Sequence, residues 1–312
     1  MSIIIKNENI DSTYINKTCR IGIDDEKYPK KLKKIKNAPE LLYYRGTLPK
    51  DDTPTVSIVG ARNSSEYGLT TGRALARELS RQGIQVISGL ALGCDTSAHI
   101  GALDVNAPNF AVLGCGVDLC YPTYNQDVYN RILDCGGGII SELPDGTPAY
   151  AGNFPMRNRI ISGLSDVVIV LEAKLKSGSL ITANYAVEQG RDIFALPGRI
   201  SDTLSQGTND LIRQGAYILS TIYDVLDYFQ VSYGKKILPI KFDVEKLSYD
   251  EKIIYKALKE LGTDSHHIDE IVEKTNISQT KCILILTTLQ INGYVESNMP
   301  SYYKICDEPY YK

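Results

Sequence analysis

The chain has 312 residues, of which 43% are hydrophobic and 23% are charged, and its formal net charge is -3. This length predicts one large domain with a smaller one beside it. The weak acidity argues against a protein that grips nucleic acid through overall basicity, so a polyanion site would have to be local. No apolar stretch approaches the roughly 18 residues of a membrane span, and the first residues lack a signal-peptide pattern, so we expect a cytoplasmic protein.

Residues 1–50 predict a short N-terminal lead-in segment rather than a domain of its own. Residues 1–16 are polar and are expected to be poorly ordered. The following YPKKLKKIKNAPELLYYRGTL predicts a short helix that packs on the edge of a sheet. Lysines crowd between Lys27 and Lys36, and this cluster is either a polyanion-binding surface or a solvated helix face.

Residues 51–232 predict an α/β domain of the Rossmann type. Short apolar runs rich in β-formers alternate with amphipathic segments, which is typical of βα units around a mostly parallel sheet. The strand candidates are TVSIV, QVIS, FAVLG, GGIIS, DVVIVLE, DIFAL and AYIL. LTTGRALARELSRQG and SLITANYAVEQG have apolar residues at helical spacing and end on glycine. We therefore expect a doubly wound sheet of six or seven strands.

The end of the chain predicts a separate small domain. Residues 233–246 contain Gly, Pro and lysines without periodicity, as a linker does. Residues 247–312 contain three helical segments and then two short strands, the order of a winged-helix domain, with a turn at Asn276 to Ser278. Lys281 is the one basic residue of the third helix, SQTKCILILTTLQING, so dimerisation, docking or a protein contact is favoured over duplex-DNA reading.

Four segments near the predicted carboxyl ends of strands combine small, hydroxyl and basic residues. They are GARNSSEYG, GLALGCDTSAH, NFPMRNRIISGLS and AKLKSGSLITANYA. Rossmann-type sheets bind ligands at this edge. Ser177, Gly178 and Ser179 precede a predicted helix, where small residues let backbone N–H groups approach an anion and the helix dipole adds positive charge.

Several cations and one aromatic side chain are expected at the same rim. The cations are Arg62, Arg157, Arg159, Lys174 and Lys176. So much positive charge suits a run of phosphates better than one mononucleotide. Phe154 lies in a predicted loop, where it could stack on an unpaired base. The alternative is structural: Phe154 plugs the sheet edge, and Arg157 or Arg159 pairs with Glu172 or Glu142.

The remaining cysteine, histidine and aspartate residues give little indication of a catalytic or metal site. Cys94, Asp95 and His99 lie close in sequence, but no further ligand or orienting partner can be named, so we expect a helix start capped by Asp95. His266 and His267 are expected to face solvent or to pack. The seven cysteines are scattered without a C-x-x-C pair, which indicates buried thiols rather than disulfides or a metal site.

Long segments of the chain, in order, carry a resemblance to a known family. They are IVGARNSSEYG, ISGLALGCDTSAH, FPMRNRIISGLSDVVIVLEA and SGSLITANYAVEQGRDIFALPG, followed by GTNDLIRQGA. From about Tyr28 through the winged helix, the chain resembles the DNA-processing protein A family (DprA or Smf). The resemblance implies an extended Rossmann fold that binds single-stranded DNA, protects it and loads RecA onto it during natural transformation. It further implies a homodimer that helps RecA past single-strand binding protein, with no catalytic activity, cofactor or metal.

The resemblance also implies which residues contact DNA. Arg62 is the arginine of the Gly-x-Arg turn, and Phe154 is the aromatic residue before the R-N-R motif. The full set expected to bind DNA is Gly60, Arg62, Ser88, Phe154, Arg157, Asn158, Lys174, Lys176, Ser177, Gly178 and Ser179. The chain departs from the family in two places: Ala151 stands where some relatives carry a lysine, and residues 1–50 are a remnant of the amino-terminal helical domain that some members have. Residues 207–229 are the expected dimer region.

Two other functions stay open. The first is an enzyme that acts on a nucleotide-derived molecule, similar to the lysine-decarboxylase-like phosphoribohydrolases. Their motif P-G-G-x-G-T-x-x-E ends on a glutamate, and this chain has Tyr185 there, so the base is missing. The second is a nucleotide sensor, in which the same anion nest binds the signal and the winged helix responds.

Overall fold

The computed structural model describes residues 17–233, 247–262, 264–291, 294–299 and 301–305. The chain forms two compact units, Met1–Ile237 and Leu238–Lys312. The segment expected to be poorly ordered, 1–16, and nearly all of the expected linker, 234–246, lie outside the described residues. None of the described helices is long and apolar enough to cross a membrane.

The described part of the first unit contains one nine-stranded sheet. Its strands are β1 (Cys19–Gly22), β2 (Leu41–Gly46), β3 (Thr55–Val59), β4 (Gln85–Ser88), β5 (Asn109–Val112), β6 (Gly138–Ser141), β7 (Val167–Val170), β8 (Asp192–Ala195) and β9 (Tyr217–Ile218). Their order is β1-β2-β6-β5-β4-β3-β7-β8-β9. Neighbours from β6 through β9 pair in parallel, whereas β1 and β2 are antiparallel. The predicted mostly parallel, doubly wound sheet is confirmed, although it has nine strands where six or seven were expected.

Eight described helices accompany this sheet. They are α1 (Lys30–Lys33), α2 (Glu66–Arg81), α3 (Cys94–Leu103), α4 (Gln126–Asp134), α5 (Asn153–Gly163), α6 (Gly178–Glu188), α7 (Gln206–Arg213) and α8 (Ile222–Tyr233). Every residue of β3 and β7 is buried, which is why these strands appear in the sequence as continuous apolar runs. Ser65 is the N-cap residue of α2, and its Oγ accepts a hydrogen bond from the Gly68 N–H at 3.3 Å.

The strand order reverses between β3 and β7. After β3 the chain passes through α2 to β4 on one side, and after β7 it passes through α6 to β8 on the other. Such a switch point opens a crevice outside the carboxyl ends of the two strands. The loops after β3 and β7 therefore diverge and leave room for a ligand between them.

The lead-in segment differs from its prediction, because two of its parts are strands of the main sheet. Tyr28, Leu32 and Ile35 are buried at helical spacing, as expected, and pack in the core that includes Ile160 of α5. The helix α1 nevertheless has only four residues. The segment LLYYRG forms β2, which pairs with β6, and β1 pairs in turn with β2. Aromatic residues favour strands, and here the sheet edge decides the conformation.

The second unit has the element order of a winged helix. Its elements are α9 (Tyr249–Leu261), β10 (His266–His267), α10 (Ile268–Thr275), α11 (Gln279–Ile291), β11 (Val295–Met299) and β12 (Tyr302–Ile305). The three strands form an antiparallel sheet in the order β10-β12-β11. Ser248 and Glu251 form a capping box that starts α9. Asn276, in the predicted turn between α10 and α11, is left-handed with φ 54°.

The six cysteines within the described ranges are all free thiols. Cys94, Cys115 and Cys282 are buried, and the other three described cysteines are half-buried. The expectation of buried thiols therefore holds for half of this set. Cys306 lies outside the described residues.

Candidate functional site

A cavity of about 570 Å³ lies at the carboxyl edge of the sheet, at the switch point between β3 and β7. Its walls come from the loop after β3, the first turns of α5, and the loop that leads from β7 into α6. Ten of the residues expected to bind DNA line it: Gly60, Arg62, Phe154, Arg157, Asn158, Lys174, Lys176, Ser177, Gly178 and Ser179. The structure brings these residues together, and their contact with DNA stays a prediction.

Ser88, the eleventh predicted residue, does not line this cavity. Its side chain is fully buried, and its hydroxyl donates a hydrogen bond to the Ile58 carbonyl at 2.6 Å. Ser88 ends a central strand, so its hydroxyl is satisfied by the neighbouring strand β3. The structure therefore does not bring Ser88 to the cavity with the other ten residues, and its hydroxyl links β4 to β3 instead.

Three exposed cations stand at the cavity, on the loops after β3 and β7. Arg62, Lys174 and Lys176 are exposed, and none of them forms an ion pair within the part of the chain that the structure describes. Asp95 is the one carboxylate among the described residues of the lining, and it is buried. The accessible rim therefore presents unneutralised positive charge.

Arg157 lies at the cavity floor and is only 5% exposed. Its Nη1 donates hydrogen bonds to the carbonyls of Gly89, at 2.8 Å, and Val112. Burial lowers the pKa of Arg157 to about 10, so the guanidinium is still charged at neutral pH. Arg157 ties the ends of β4 and β5 together and adds charge from below.

The structural alternative is correct for Arg159. Its guanidinium forms an ion pair with Glu142, with Nη2 to Oε2 at 2.6 Å and Nη1 to Oε1 at 2.9 Å. Arg159 is buried and is not part of the cavity lining. Glu172 instead accepts hydrogen bonds from the backbone N–H and the hydroxyl of Ser65, which fixes the start of α2. The expectation that Arg159 stands at the rim is wrong, because its charge is satisfied elsewhere.

Phe154 lies in the first turn of α5 rather than in a loop. Pro155 follows it, and proline is tolerated there because the N–H groups of a first turn have no partner within the helix. The Phe154 ring packs against Gly114, where a Cβ would lie 3.0 Å from Phe154 Cδ1. The Arg62 Cζ lies 5.2 Å from the centroid of this half-buried ring, within the range of a cation–π contact.

The sequence prediction missed Tyr121, which also lines the cavity. Its ring centroid lies 5.5 Å from that of Phe154, with 38° between the ring planes. Tyr121 belongs to the loop that follows β5. That loop leaves the carboxyl edge of the sheet, as do the four segments that the sequence analysis assigned to the site. Its position directly after a predicted strand could therefore have identified Tyr121 as a candidate.

The predicted anion nest is the N-terminus of α6. Ser177 is the N-cap residue, and its Oγ accepts a hydrogen bond from the Ser179 N–H at 3.4 Å. No acidic residue occupies the first turn of α6, so the positive end of the helix dipole is not neutralised there. Asn158 Nδ2 donates to the Gly178 carbonyl at 3.2 Å, which links α5 to this nest. Such a terminus binds anions.

Gly60 and Gly178, the two glycines of the described cavity lining, differ in whether the surrounding atoms leave room for a side chain. A Cβ on Gly60 would lie 2.7 Å from the Cys94 Cβ, and closer still to its Sγ, so the turn after β3 needs glycine to pack on α3. A Cβ on Gly178 would meet no atom within 4 Å. The packing of the protein therefore does not require glycine at position 178, and close approach of a ligand there stays a prediction.

Cys94, Asp95 and His99 form no reactive centre. Burial raises the pKa of the Cys94 thiol to about 12, and burial lowers the pKa of His99 to about 4. His99 Nδ1 lies 2.8 Å from Asn109 Oδ1. The N-cap of α3 is Gly93 rather than Asp95, whose carboxylate accepts the Gly89 N–H instead. Among the described residues no group of His, Cys, Asp and Glu could hold a metal.

The lysine-rich segment around α1 lies at the opposite edge of the sheet from the cavity. Lys31 Nζ pairs with Asp166 Oδ2 at 2.6 Å and donates to Thr55 Oγ1 at 3.3 Å. Asp166 directly precedes β7 and Thr55 begins β3, so both mark the amino ends of these strands. The neighbouring Lys33 and Lys34 are exposed. This segment does not add charge to the cavity rim.

Comparisons with known proteins show consistent likenesses. The family model described as DNA recombination-mediator protein A matches residues 20–230. The chain is 36% identical over 289 residues to Protein Smf of Escherichia coli K12, which covers 91% of this chain and 77% of that protein. It is 40% identical over 228 residues to the DNA processing protein DprA of Streptococcus pneumoniae, with 71% and 79% covered.

Two solved structures are also similar. The X-ray structure of DNA processing protein A from Streptococcus pneumoniae aligns with a TM-score of 0.63 and 41% identity, covering 69% of this chain and 76% of that chain. A structure of DNA processing protein A from Helicobacter pylori, described for its single-stranded DNA binding mode, aligns with a TM-score of 0.63 and 34% identity, covering 69% and 97%. Together with the family match over most of its length, these likenesses establish that the chain belongs to the DNA recombination-mediator protein A family.

Proposed function

We propose that this protein is a recombination mediator that binds single-stranded DNA in the cavity at the carboxyl edge of its sheet. One observation carries the proposal. Three cations that form no ion pair with the described residues, the N-terminus of α6 and the ring of Phe154 share a single cavity; the cations are Arg62, Lys174 and Lys176. The cations and the helix N-terminus can bind the phosphates of a strand, and the aromatic ring can stack on a base.

The chemistry of the cavity favours a single strand over a duplex. An aromatic ring can stack only on a base whose face is free, and in a duplex each base face is already covered. Stacking and phosphate contacts are both tolerant of sequence, as a mediator requires. The relative from Helicobacter pylori, described for its single-stranded DNA binding mode, supports the same ligand for this chain.

The proposed role continues beyond binding. The protein protects incoming single strands in the cytoplasm during natural transformation, loads RecA onto them and helps RecA past single-strand binding protein. This role follows family membership and involves no catalytic step and no cofactor. The one carboxylate in the described lining, Asp95, has its Oδ2 committed to the Gly89 N–H at 3.0 Å, which speaks against a free general base.

A homodimer is part of the proposal, with residues 207–229 as the interface. The strand β9 lies at the end of the sheet order, and its residues Tyr217 and Ile218 are 51% and 50% exposed. An apolar strand at the edge of a sheet invites contact with another chain. These features support the dimer region that the family resemblance implies.

The winged-helix unit is proposed to contact protein rather than duplex DNA. Lys281 of α11 forms an ion pair with Asp250 at 2.7 Å, and Ile283 and Leu284 of α11 are exposed. A helix that reads DNA needs free cations for the phosphates. The exposed surface described for α11 is instead uncharged apart from this paired lysine.

The test is fluorescence anisotropy with labelled single-stranded and duplex oligonucleotides of equal length, followed by RecA filament formation on strands coated with single-strand binding protein. We expect preferential binding of the single strand and faster RecA filament formation when the protein is present. Equal binding of both forms would overturn the choice of ligand. Preferential binding without any effect on RecA would overturn the loading role alone.

A further inference from the structure

The cavity has two chemically different sides, which meet where the Arg62 Cζ lies 5.2 Å from the centroid of the Phe154 ring. The loops after β3 and β7 contribute the exposed cations Arg62, Lys174 and Lys176. The loop after β5 and the first turn of α5 contribute two aromatic rings, Tyr121 and Phe154. A single DNA strand has the same asymmetry, because phosphates line one side of it and bases project from the other. The two sides of the cavity therefore match the two sides of the strand.

The ring geometry determines where a base can be placed. The centroids of Tyr121 and Phe154 are 5.5 Å apart. A base sandwiched between two rings needs about 7 Å between them, because optimal separations between carbon atoms are about 3.5 Å on each side. No base fits between these rings. Tyr121 is, however, 45% exposed, so a base can lie against its outer surface while Phe154 supports the ring from within.

We propose that Tyr121 is a nucleobase-stacking residue, and that Tyr121 and Phe154 form a two-ring platform for the bases of a strand whose phosphates follow Arg62, Lys174 and Lys176. This inference rests on the proposed function, since it assigns the bases of the proposed ligand to one side of the same cavity. It also orients the strand, with its phosphates over the β3 and β7 loops and its bases over the β5 loop.

The first test separates stacking from charge. Tyr121→Ala is expected to weaken the binding of labelled oligothymidylate about fivefold or more, the lower part of the range for one base stacked on an aromatic ring. The slope of log affinity against log salt stays unchanged, because no cation is removed. Tyr121→Phe keeps the ring and is expected to restore binding. On an abasic strand of equal length, Tyr121→Ala is expected to have no effect.

The second test uses the absence of tryptophan from this sequence. Tyr121→Trp introduces a single tryptophan, and a stacked base is expected to quench its fluorescence. Tyr124→Trp is the matched control: Tyr124 lies three residues away, is 86% exposed and is not in the cavity lining. Oligothymidylate is expected to quench the first variant strongly and the second one little. Thermal melting of each variant checks that the fold is retained.

The outcomes separate this inference from the proposed function. If the wild-type protein binds single strands and Arg62→Ala weakens this binding, but Tyr121→Ala does not, the stacking role is wrong and the proposed function stands. If Tyr121→Ala weakens binding to abasic and normal strands equally, the ring acts on something other than bases and the inference is overturned. If the wild-type protein binds no single strand, the proposed function fails first.

Discussion

At the scale of single residues, accessibility and pairing separate the basic side chains that look alike in sequence. Arg62 is exposed and forms no ion pair among the residues described, whereas Arg159 is buried and paired with Glu142 at 2.6 Å. Arg157 is buried beneath the cavity and donates to backbone carbonyls. A cation whose hydrogen bonds are already satisfied gains little from a phosphate. We therefore expect Arg62 to carry more of the DNA affinity than Arg159.

Gly178→Ala is expected to separate stability from binding. The new methyl group meets no atom within 4 Å, and alanine at a helical position reduces the entropy of the unfolded chain, so the free energy of unfolding rises by about 0.5 kcal/mol. The same methyl group obstructs the approach of a phosphate to the N-terminus of α6 and weakens single-strand binding. Urea unfolding and anisotropy measure the two effects. A loss of both stability and binding would show that Gly178 serves the fold.

His99 is expected to make the first unit less stable in mild acid. Burial lowers the pKa of His99 to about 4, while the unfolded chain titrates near 6.5, so between these values the unfolded state binds more protons. The contribution of His99 is complete above about pH 6.5 and decreases towards pH 4. From pH 7.5 to pH 5 this linkage removes about 2 kcal/mol from the free energy of unfolding.

Urea unfolding of the wild-type protein and of His99→Gln at both pH values measures this contribution. Glutamine does not titrate, so the variant is expected to lose less stability on acidification than the wild-type protein does. Equal losses in the two proteins would contradict the assignment of the acid sensitivity to His99.

At the scale of elements, α5 serves both the cavity and the core. Its first turn carries Phe154 at the cavity, and Ile160 and Ile161 further along are buried in the main core. Gly163, near its end, packs against Leu32 and Ile35 of the lead-in segment. The lead-in segment therefore supports the helix that carries the aromatic ring, although it lies at the opposite edge of the sheet.

Two double variants, each of which removes two exposed lysines, are expected to differ in their effect on DNA binding. Lys174→Ala with Lys176→Ala removes two cations from the cavity rim, whereas Lys33→Ala with Lys34→Ala removes two at the amino edge of the sheet. The first double variant is expected to reduce the salt slope of single-strand binding by about 1.4, since each contact contributes about 0.7. The second is expected to leave short oligonucleotides unaffected. Anisotropy in a salt series compares them, and equal effects would contradict the cavity assignment.

At the scale of the whole first unit, the parallel sheet places its ligand chemistry at one edge. The loops after β3, β5 and β7 all leave the carboxyl edge, so residues from Gly60 to Ser179 converge although they are far apart in sequence. The net charge of -3 carries no information about this convergence. Local placement of charge on a nearly neutral chain is what makes the site specific.

The sequence predicted the central strands well, because β3 and β7 are buried on both faces and appear as unbroken apolar runs. It missed β1 and β2, whose residues are mostly half-buried and whose conformation depends on pairing with β6. The burial of Ser88 escaped prediction, because its partner Ile58 is remote in sequence and local patterns do not identify it. The pairing of Arg159 with Glu142 was one of the alternatives that the sequence left open, and only the structure decides between them.

The most direct test of the central claim is the salt dependence of single-strand binding for the wild-type protein, Arg62→Ala and Arg131→Ala. Arg131, in the last turn of α4, is a half-buried arginine outside the cavity lining that pairs with Asp127 at 3.6 Å, and both variants change the net charge equally. We predict that Arg62→Ala lowers the affinity at least about tenfold and reduces the slope by about 0.7, the value for one phosphate contact, while Arg131→Ala matches the wild-type protein. Identical affinities and slopes for all three would contradict the claim that this cavity holds the DNA backbone.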